Sequence, residues 1–139
     1  MDVKNKRVVV TGAASGIGKA LCEAFHQAKA QSVIAVDMNF DGAQDTADSV
    51  NGIAVQANVG NEKDIINVIE KADEHAGGTD IFCSNAGIGG VPGFFEVEAS
   101  DWQNIWDVNV QSHIFAAKHV LPQMIDRGEG YLVNTSSAA

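Results

Sequence analysis

Short apolar runs alternate along this chain with longer stretches whose apolar residues recur every three or four positions, and that alternation sets the elements it is expected to form. Residues 7–12 (RVVVTG) read as a strand, and residues 16–29 as a helix with Ile17, Ala20, Leu21, Ala24 and Phe25 on one face. A second buried strand covers residues 32–37 (SVIAVD), followed by a short polar helix over 40–51 with Gly52 as its stop and a third strand over 53–57. Asn61 is suited to cap a helix reaching about His75. Gly77 and Gly78 end that helix, and residues 80–84 (DIFCS) form a fourth strand. A glycine-rich loop runs from 86 to about 97. Ser100 then caps a helical region extending to about Arg127, with Pro122 as a site for a kink. Residues 131–136 (YLVNTS) form a fifth strand. Strands of continuous apolar character separated by helices predict a parallel sheet covered on both faces, a three-layer α/β fold. No linker, low-complexity tract or repeat divides the 139 residues, which suit a single domain, 1–139.

Composition narrows the functional classes. Hydrophobic residues make up 45% of the chain, enough for a sizeable core. Nine basic against eighteen acidic residues give a formal charge of −9, which argues against a nucleic-acid partner. No apolar run reaches the ~20 residues of a membrane span. The opening MDVKNKRVVV has no separate apolar core or cleavage site of a signal peptide. Cys22 and Cys83 lie inside helical and strand patterns rather than in a CxxC or Cys/His cluster, so they read as buried reduced thiols in a cytoplasmic setting. His26, His75, His113 and His119 share no metal-ligand spacing, and no metal site is expected. His26 and His75 are expected to face solvent, and His113 and His119 are given no chemistry.

The segment TGAASGIG, Thr11 to Gly18, joins the first strand to the first helix. Glycine suits such a turn because the chain must double back tightly, a pyrophosphate must approach the main chain, and the helix must sit close to the strand. The head of the helix, Ser15, Gly16, Ile17 and Gly18, then offers free N–H groups and a partial positive charge to the phosphates. Asp37 follows Gly18 by nineteen residues, at the end of the second strand, near the ~20 expected for an acid on the adenosine ribose. Its carboxylate accepts from ribose hydroxyls and repels a 2′-phosphate, which favours NAD over NADP.

With Gly12, Gly16 and Gly18 spaced as GxxxGxG, the turn resembles that of the short-chain dehydrogenase/reductase family. Three further motifs agree: SNAG (Ser84 to Gly87) is similar to the family's NNAG, DVNV (Asp107 to Val110) contains its helical Asn, and VNTSS (Val133 to Ser137) is similar to the segment bearing its active-site serine. The resemblance implies a Rossmann-type doubly wound parallel sheet of strand order 3-2-1-4-5, stopping before strands six and seven. It also implies an NAD(H)-dependent oxidoreductase that interconverts an alcohol and a carbonyl by hydride transfer, on a small-molecule substrate whose identity is not legible. Asn85, Ala86 and Gly87 would line the cofactor, and Asn58-Val59 would stand where the family has Asp-Val at the adenine, with weaker contact from Asn58. Asn109 would hold a water of the proton relay through its helical backbone, and Ser137 would hydrogen-bond the substrate oxygen. A strand-end role for Asn85, Ser136 and Ser137, and a plain helix position for Asn109, are the rival readings.

The family's general acid/base Tyr, with a Lys four residues on, has no counterpart: the single tyrosine is Tyr131, followed at four residues by Thr135. The resemblance therefore implies the N-terminal, cofactor-binding portion of a longer enzyme, inactive by itself, with strand five as an exposed apolar edge and homo-oligomers formed by the full-length protein. A non-catalytic nucleotide-binding or interaction module is the alternative. A methyltransferase using S-adenosylmethionine is disfavoured by SNAG and VNTSS. Phe94, Phe95, Trp102 and Trp106 are candidate substrate contacts, though the i, i+4 spacing of the two tryptophans reads as helix packing.

Overall fold

In the computed structural model, residues 2–90, 93 and 95–137 are described; Phe94, Ala138 and Ala139 lie outside them. Five parallel strands, β1 (Arg7–Thr11), β2 (Ser32–Asp37), β3 (Ile53–Gln56), β4 (Ile81–Ser84) and β5 (Tyr131–Asn134), form one sheet in the order β3-β2-β1-β4-β5. The helices are α1 (Gly16–Gln27), α2 (Phe40–Ser49), α3 (Glu62–Ala76), α4 (Ala99–Trp106) and α5 (Ser112–Arg127), with a π turn, Asp107–Gln111, between the last two.

Alternation along the strands builds two cores. Val9, Ile34, Val36 and Phe82 face α3 and α5, whose Ile65, Val68, Ala72, Ala116 and Val120 complete that layer. Val8, Val10, Ala35, Ile81 and Cys83 face the opposite way, towards Cys22 of α1 and Ala47 of α2. Since both faces of β1 and β2 are covered, their interior residues, 8–10 and 33–36, are apolar without interruption. Burial pushes the Cys22 and Cys83 thiols up to about 12, which suits packing rather than reactivity. At β5 the layers stop matching. Leu132 packs on the α5 side, whereas Tyr131 and Val133, which pair with Ile81 and Cys83, are 54% and 37% exposed.

Helix ends follow local chemistry, with corrections. Asn61 caps α3 by accepting from the Lys63 N–H at 3.0 Å, and Gly77 closes it in the left-handed conformation. The stop of α2 is Asn51 rather than Gly52: Asn51 takes φ 53°, while the Gly52 N–H returns to the Ala47 carbonyl. Glycine is needed at 52 for space, since a Cβ would lie 2.1 Å from the Val33 carbonyl oxygen. Ser100 does not cap α4. Glu98 precedes the helix, and Asp101 Oδ2 accepts from the Glu98 N–H at 2.9 Å, because a carboxylate three residues on reaches back to the free amide. The single helical region expected up to Arg127 is divided by the π turn. Pro122 lies inside α5, which continues to Arg127.

Trp102 and Trp106 are not packed; they are 55% and 53% exposed on α4, a helix with no buried residue. Their spacing does put them on one face, but nothing among the described residues covers that face. His26 and His75 are exposed, as expected.

Candidate active site at the carboxyl edge of the sheet

The carboxyl ends of the strands converge on the glycine turn. Gly12 adopts φ +71°, and a Cβ there would lie 2.9 Å from the Ala86 Cα, so the turn after β1 presses on the turn after β4. A Cβ on Gly18 would fall 1.9 Å from the Gly12 carbonyl oxygen, so α1 starts against the turn's own backbone. Ser15 is extended, its side chain makes no cap, and among the described residues the N–H groups of Ile17 and Gly18 have no hydrogen-bond partner. The Asp37 carboxylate spans the turn: Oδ2 accepts from the Ala14 N–H at 3.0 Å and Oδ1 from the Asn39 N–H at 2.9 Å.

Two adjoining cavities share Ala86, Gly87 and Ile88 as a common wall. The first, about 310 Å³, is lined by Gly12, Asp37, Asn58 and Val59, with Asn104 and Val108 from the α4 side. The second, about 620 Å³, is lined by Asn85, Asn109, His113, Asn134 and Thr135 to Ser137. Thus Gly12, Asp37, Asn58, Val59, Ala86 and Gly87 meet around one cavity, and Asn85, Asn109 and Ser137 around the other. Ser15, Gly16, Ile17 and Gly18 line neither of these two and form the turn beside them.

Several side chains hold this frame, and among them Thr11, Thr135 and Asp64 were given no role in the sequence reading. The Thr11 hydroxyl donates to the Cys83 carbonyl at 3.3 Å and accepts the N–H groups of Asn85 and Ala86 at 2.9 and 3.0 Å. Asn85 is braced on both sides: its Nδ2 donates to the Thr11 carbonyl, and its Oδ1 accepts from the Thr135 hydroxyl, both at 3.1 Å. Its strand-end role is therefore real, alongside its place in the cavity wall. Asn109, in the middle of the π turn, grips the backbone of Ile88 twice, accepting its N–H and donating to its carbonyl, each at 2.8 Å. That clamp fixes the start of the glycine-rich loop. Asn58 Oδ1 accepts from the Gly60 N–H at 3.0 Å, while Asp64 Oδ2 accepts from the Asn58 N–H at 2.9 Å.

Away from the cavities, Glu62 accepts from Lys118 and pairs with His119, both at 2.7 Å, which ties α3 to α5 and holds the Glu62 carboxyl below the usual carboxylate range. His113, by contrast, is the one ionisable side chain among the described residues lining the larger cavity. Tyr131 sits at the far end of β5 from the site, opposite Ile81. Among the described residues no group of three or more His, Cys, Asp or Glu is arranged to hold a metal ion, and no helix is long and apolar enough to cross a membrane.

A doubly wound parallel sheet with a glycine turn at the head of its first helix and clefts along its carboxyl edge is a Rossmann-type arrangement. Residues 6–139 match the sequence profile described as short chain dehydrogenase. Glucose 1-dehydrogenase 2 of Bacillus subtilis (strain 168) is 34% identical over 143 residues, covering 98% of this chain and 55% of that protein. Among solved structures, L-sorbose reductase from Gluconobacter frateurii, complexed with NADPH and L-sorbose, superposes with a TM-score of 0.91 at 29% identity, covering 99% of this chain and 55% of that one. A short-chain type dehydrogenase/reductase from Mycobacterium marinum gives 0.89 at 30% identity, with 98% and 57% covered. This chain belongs to the short-chain dehydrogenase family, and it spans about half the length of these relatives.

Proposed function

We propose that the chain is the cofactor-binding part, as one domain over 1–139, of an NAD(H)-dependent oxidoreductase that interconverts an alcohol and a carbonyl. The observation that carries the cofactor choice is Asp37, fixed by two backbone N–H groups on the wall of the smaller cavity beside Gly12. Each carboxylate oxygen keeps acceptor capacity for a ribose hydroxyl. No Lys or Arg occurs in residues 11–18 or 37–41 to offset a 2′-phosphate. The L-sorbose reductase was solved with NADPH, so cofactor choice varies within this fold and rests here on the local charge.

The residues present fit a dinucleotide. Gly12 and Gly18 leave no room for a Cβ, the Ile17 and Gly18 amides are available to phosphate, and Asn58 and Val59 wall the space for an adenine. Bound nicotinamide supplies the hydride-transfer chemistry. On the larger cavity Ser137 would hydrogen-bond the substrate oxygen. Asn109 would order a water through its backbone, a role that suits a π turn, since such turns recur at functional sites. With no Tyr–Lys pair in the 139 residues, the proton step has no general acid/base here, and turnover by this chain alone is expected to be negligible. The two free, buried thiols agree with a reducing, cytoplasmic setting.

Titration with NADH and NADPH, followed by nicotinamide fluorescence, tests the reading. NADH is expected to bind about tenfold more tightly, the order of a single like-charge contact near ~4 Å. Asp37→Ala is expected to weaken NADH by about 1.5–3 kcal/mol, the worth of a charge-assisted hydrogen bond. Equal affinity for the two cofactors would refute the specificity.

The full-length protein is proposed to form homo-oligomers. Trp102 and Trp106 on α4 and Leu121 and Ile125 on α5 are exposed apolar side chains, of the sort that subunit contacts cover. Analytical ultracentrifugation is expected to show an assembly that Trp106→Glu weakens; a concentration-independent monomer would exclude it.

A further inference from the structure

The smaller cavity contains a polar group that the proposed function leaves unused. Its walls are mostly apolar, from Ala57, Val59, Ala86 and Val108, and three polar side chains enter the lining: Asp37, Asn58 and Asn104. Two of them are engaged. Asp37 accepts two backbone N–H groups, and Asn58 Oδ1 is turned to the Gly60 N–H. Asn104, on the exposed side of α4, makes no side-chain hydrogen bond among the described residues, whereas its neighbour Gln103 donates to Asp107 at 2.7 Å.

We infer that Asn104 reads the base of the dinucleotide, accepting from the adenine 6-amino group through Oδ1 and donating to the adjacent ring nitrogen N7 through Nδ2. The chemistry matches: adenine presents a donor beside an acceptor on that edge, and a carboxamide presents the complementary acceptor and donor at the same spacing. The remaining walls are apolar and suit the faces of a purine. Asn104 thereby supplies the amino-group acceptor that Asn58, engaged with Gly60, offers only with its remaining lone pair. This inference rests on the dinucleotide reading above, and Asn104 is a specificity residue rather than a catalytic one.

A pair of cofactors separates the two claims. Reduced nicotinamide hypoxanthine dinucleotide differs from NADH in carrying a carbonyl at position 6, which sets two acceptors side by side on the edge that Asn104 faces. The native chain is expected to bind NADH about tenfold more tightly than this analogue. Asn104→Ala should bring the ratio near one by weakening NADH alone. Asn104→Asp, which keeps an acceptor but cannot donate, should retain the preference for NADH. Asp37→Ala should weaken both cofactors together and leave the ratio unchanged. A native ratio near one, or a preference undiminished in Asn104→Ala, would overturn the base-reading role while leaving dinucleotide binding intact. Failure of the native chain to bind either cofactor would overturn both. Asn104 is surface-exposed, so thermal melting of each variant is expected to match the native chain.

Discussion

Asp80→Ala is expected to cost about 3 kcal/mol of folding stability, measured by urea unfolding. Asp80 lies just before β4, at the amino edge of the sheet, with its side chain 10% exposed against an Arg7 side chain that is 17% exposed. Its Oδ2 accepts from the Arg7 backbone N–H at 3.0 Å and from Nε at 2.8 Å, Oδ1 accepts from Nη2, and Arg127 Nη2 stands 3.6 Å away. Removing the carboxylate strands a mostly buried guanidinium and a backbone donor at once. Breaking such a pair costs about 3–5 kcal/mol, and the bond Arg7 keeps to the Gly77 carbonyl holds the loss to the low end. Against a total stability of roughly 5–15 kcal/mol this is large. The same contacts, led by the Arg7 side-chain hydrogen bond, hold the Asp80 carboxyl below the usual carboxylate range. A depressed folded-state pKa contributes stability fully above the unfolded value of about 3.9, and that stability is lost as pH falls through the folded value. The native chain should therefore lose stability below about pH 4, and Asp80→Ala should flatten that slope. A loss under about 1 kcal/mol would mean the pair is as weak as an exposed one.

Gly18→Ala is expected to abolish dinucleotide binding, lowering NADH affinity by at least about 100-fold, or about 2.7 kcal/mol. The added Cβ would sit 1.9 Å from the Gly12 carbonyl oxygen and 2.5 Å from its carbon, both backbone atoms in a turn already pressed on Asn85 and Ala86. The turn must open or α1 must withdraw, and either shift takes the Ile17 and Gly18 amides away from the phosphates. Overpacking of this sort also costs about 1–3 kcal/mol of stability. Gly16→Ala provides the contrast. Gly16 has φ +54° but nothing within 4 Å of a Cβ, so the penalty is the left-handed backbone alone, about 1–2 kcal/mol, with the turn preserved. Similar NADH affinities for Gly18→Ala and the native chain, by fluorescence titration, would exclude close packing as the reason for glycine at 18.

How far the site could be read in the sequence depended on how far apart its partners are. The glycine turn, Asp37 at the end of β2 and the Asn61 cap were legible because each is a local pattern in which a few adjacent residues fix backbone angles or satisfy nearby N–H groups. The family motifs pointed to Asn85 just after β4, Asn109 in the π turn and Ser137 beyond β5, which line one cavity. They did not say how Asn85 and Asn109 are held. Thr11 reaches Asn85 across 74 residues, Asn109 clamps Ile88 across 21, and Arg7 meets Asp80 across 73. Such pairs leave no periodicity and no spacing to read.

The misread elements have the same origin. The tryptophan spacing of α4 placed both rings on one face, yet whether a face is covered depends on what else the fold brings to it. The π turn was hidden because a one-residue widening of a helix leaves the apolar period almost unchanged.

From its own pattern the sequence determined the order of strands and helices apart from the π turn, the parallel sheet and the glycine turn at the head of α1, since these follow from side-chain periodicity and backbone sterics within a few residues. Tertiary structure alone decided which polar groups share a cavity, which are already engaged by a neighbour, and which, like Asn104, are left available. Hydrogen-bond partnership is settled by distance in space, and only the folded sheet sets those distances.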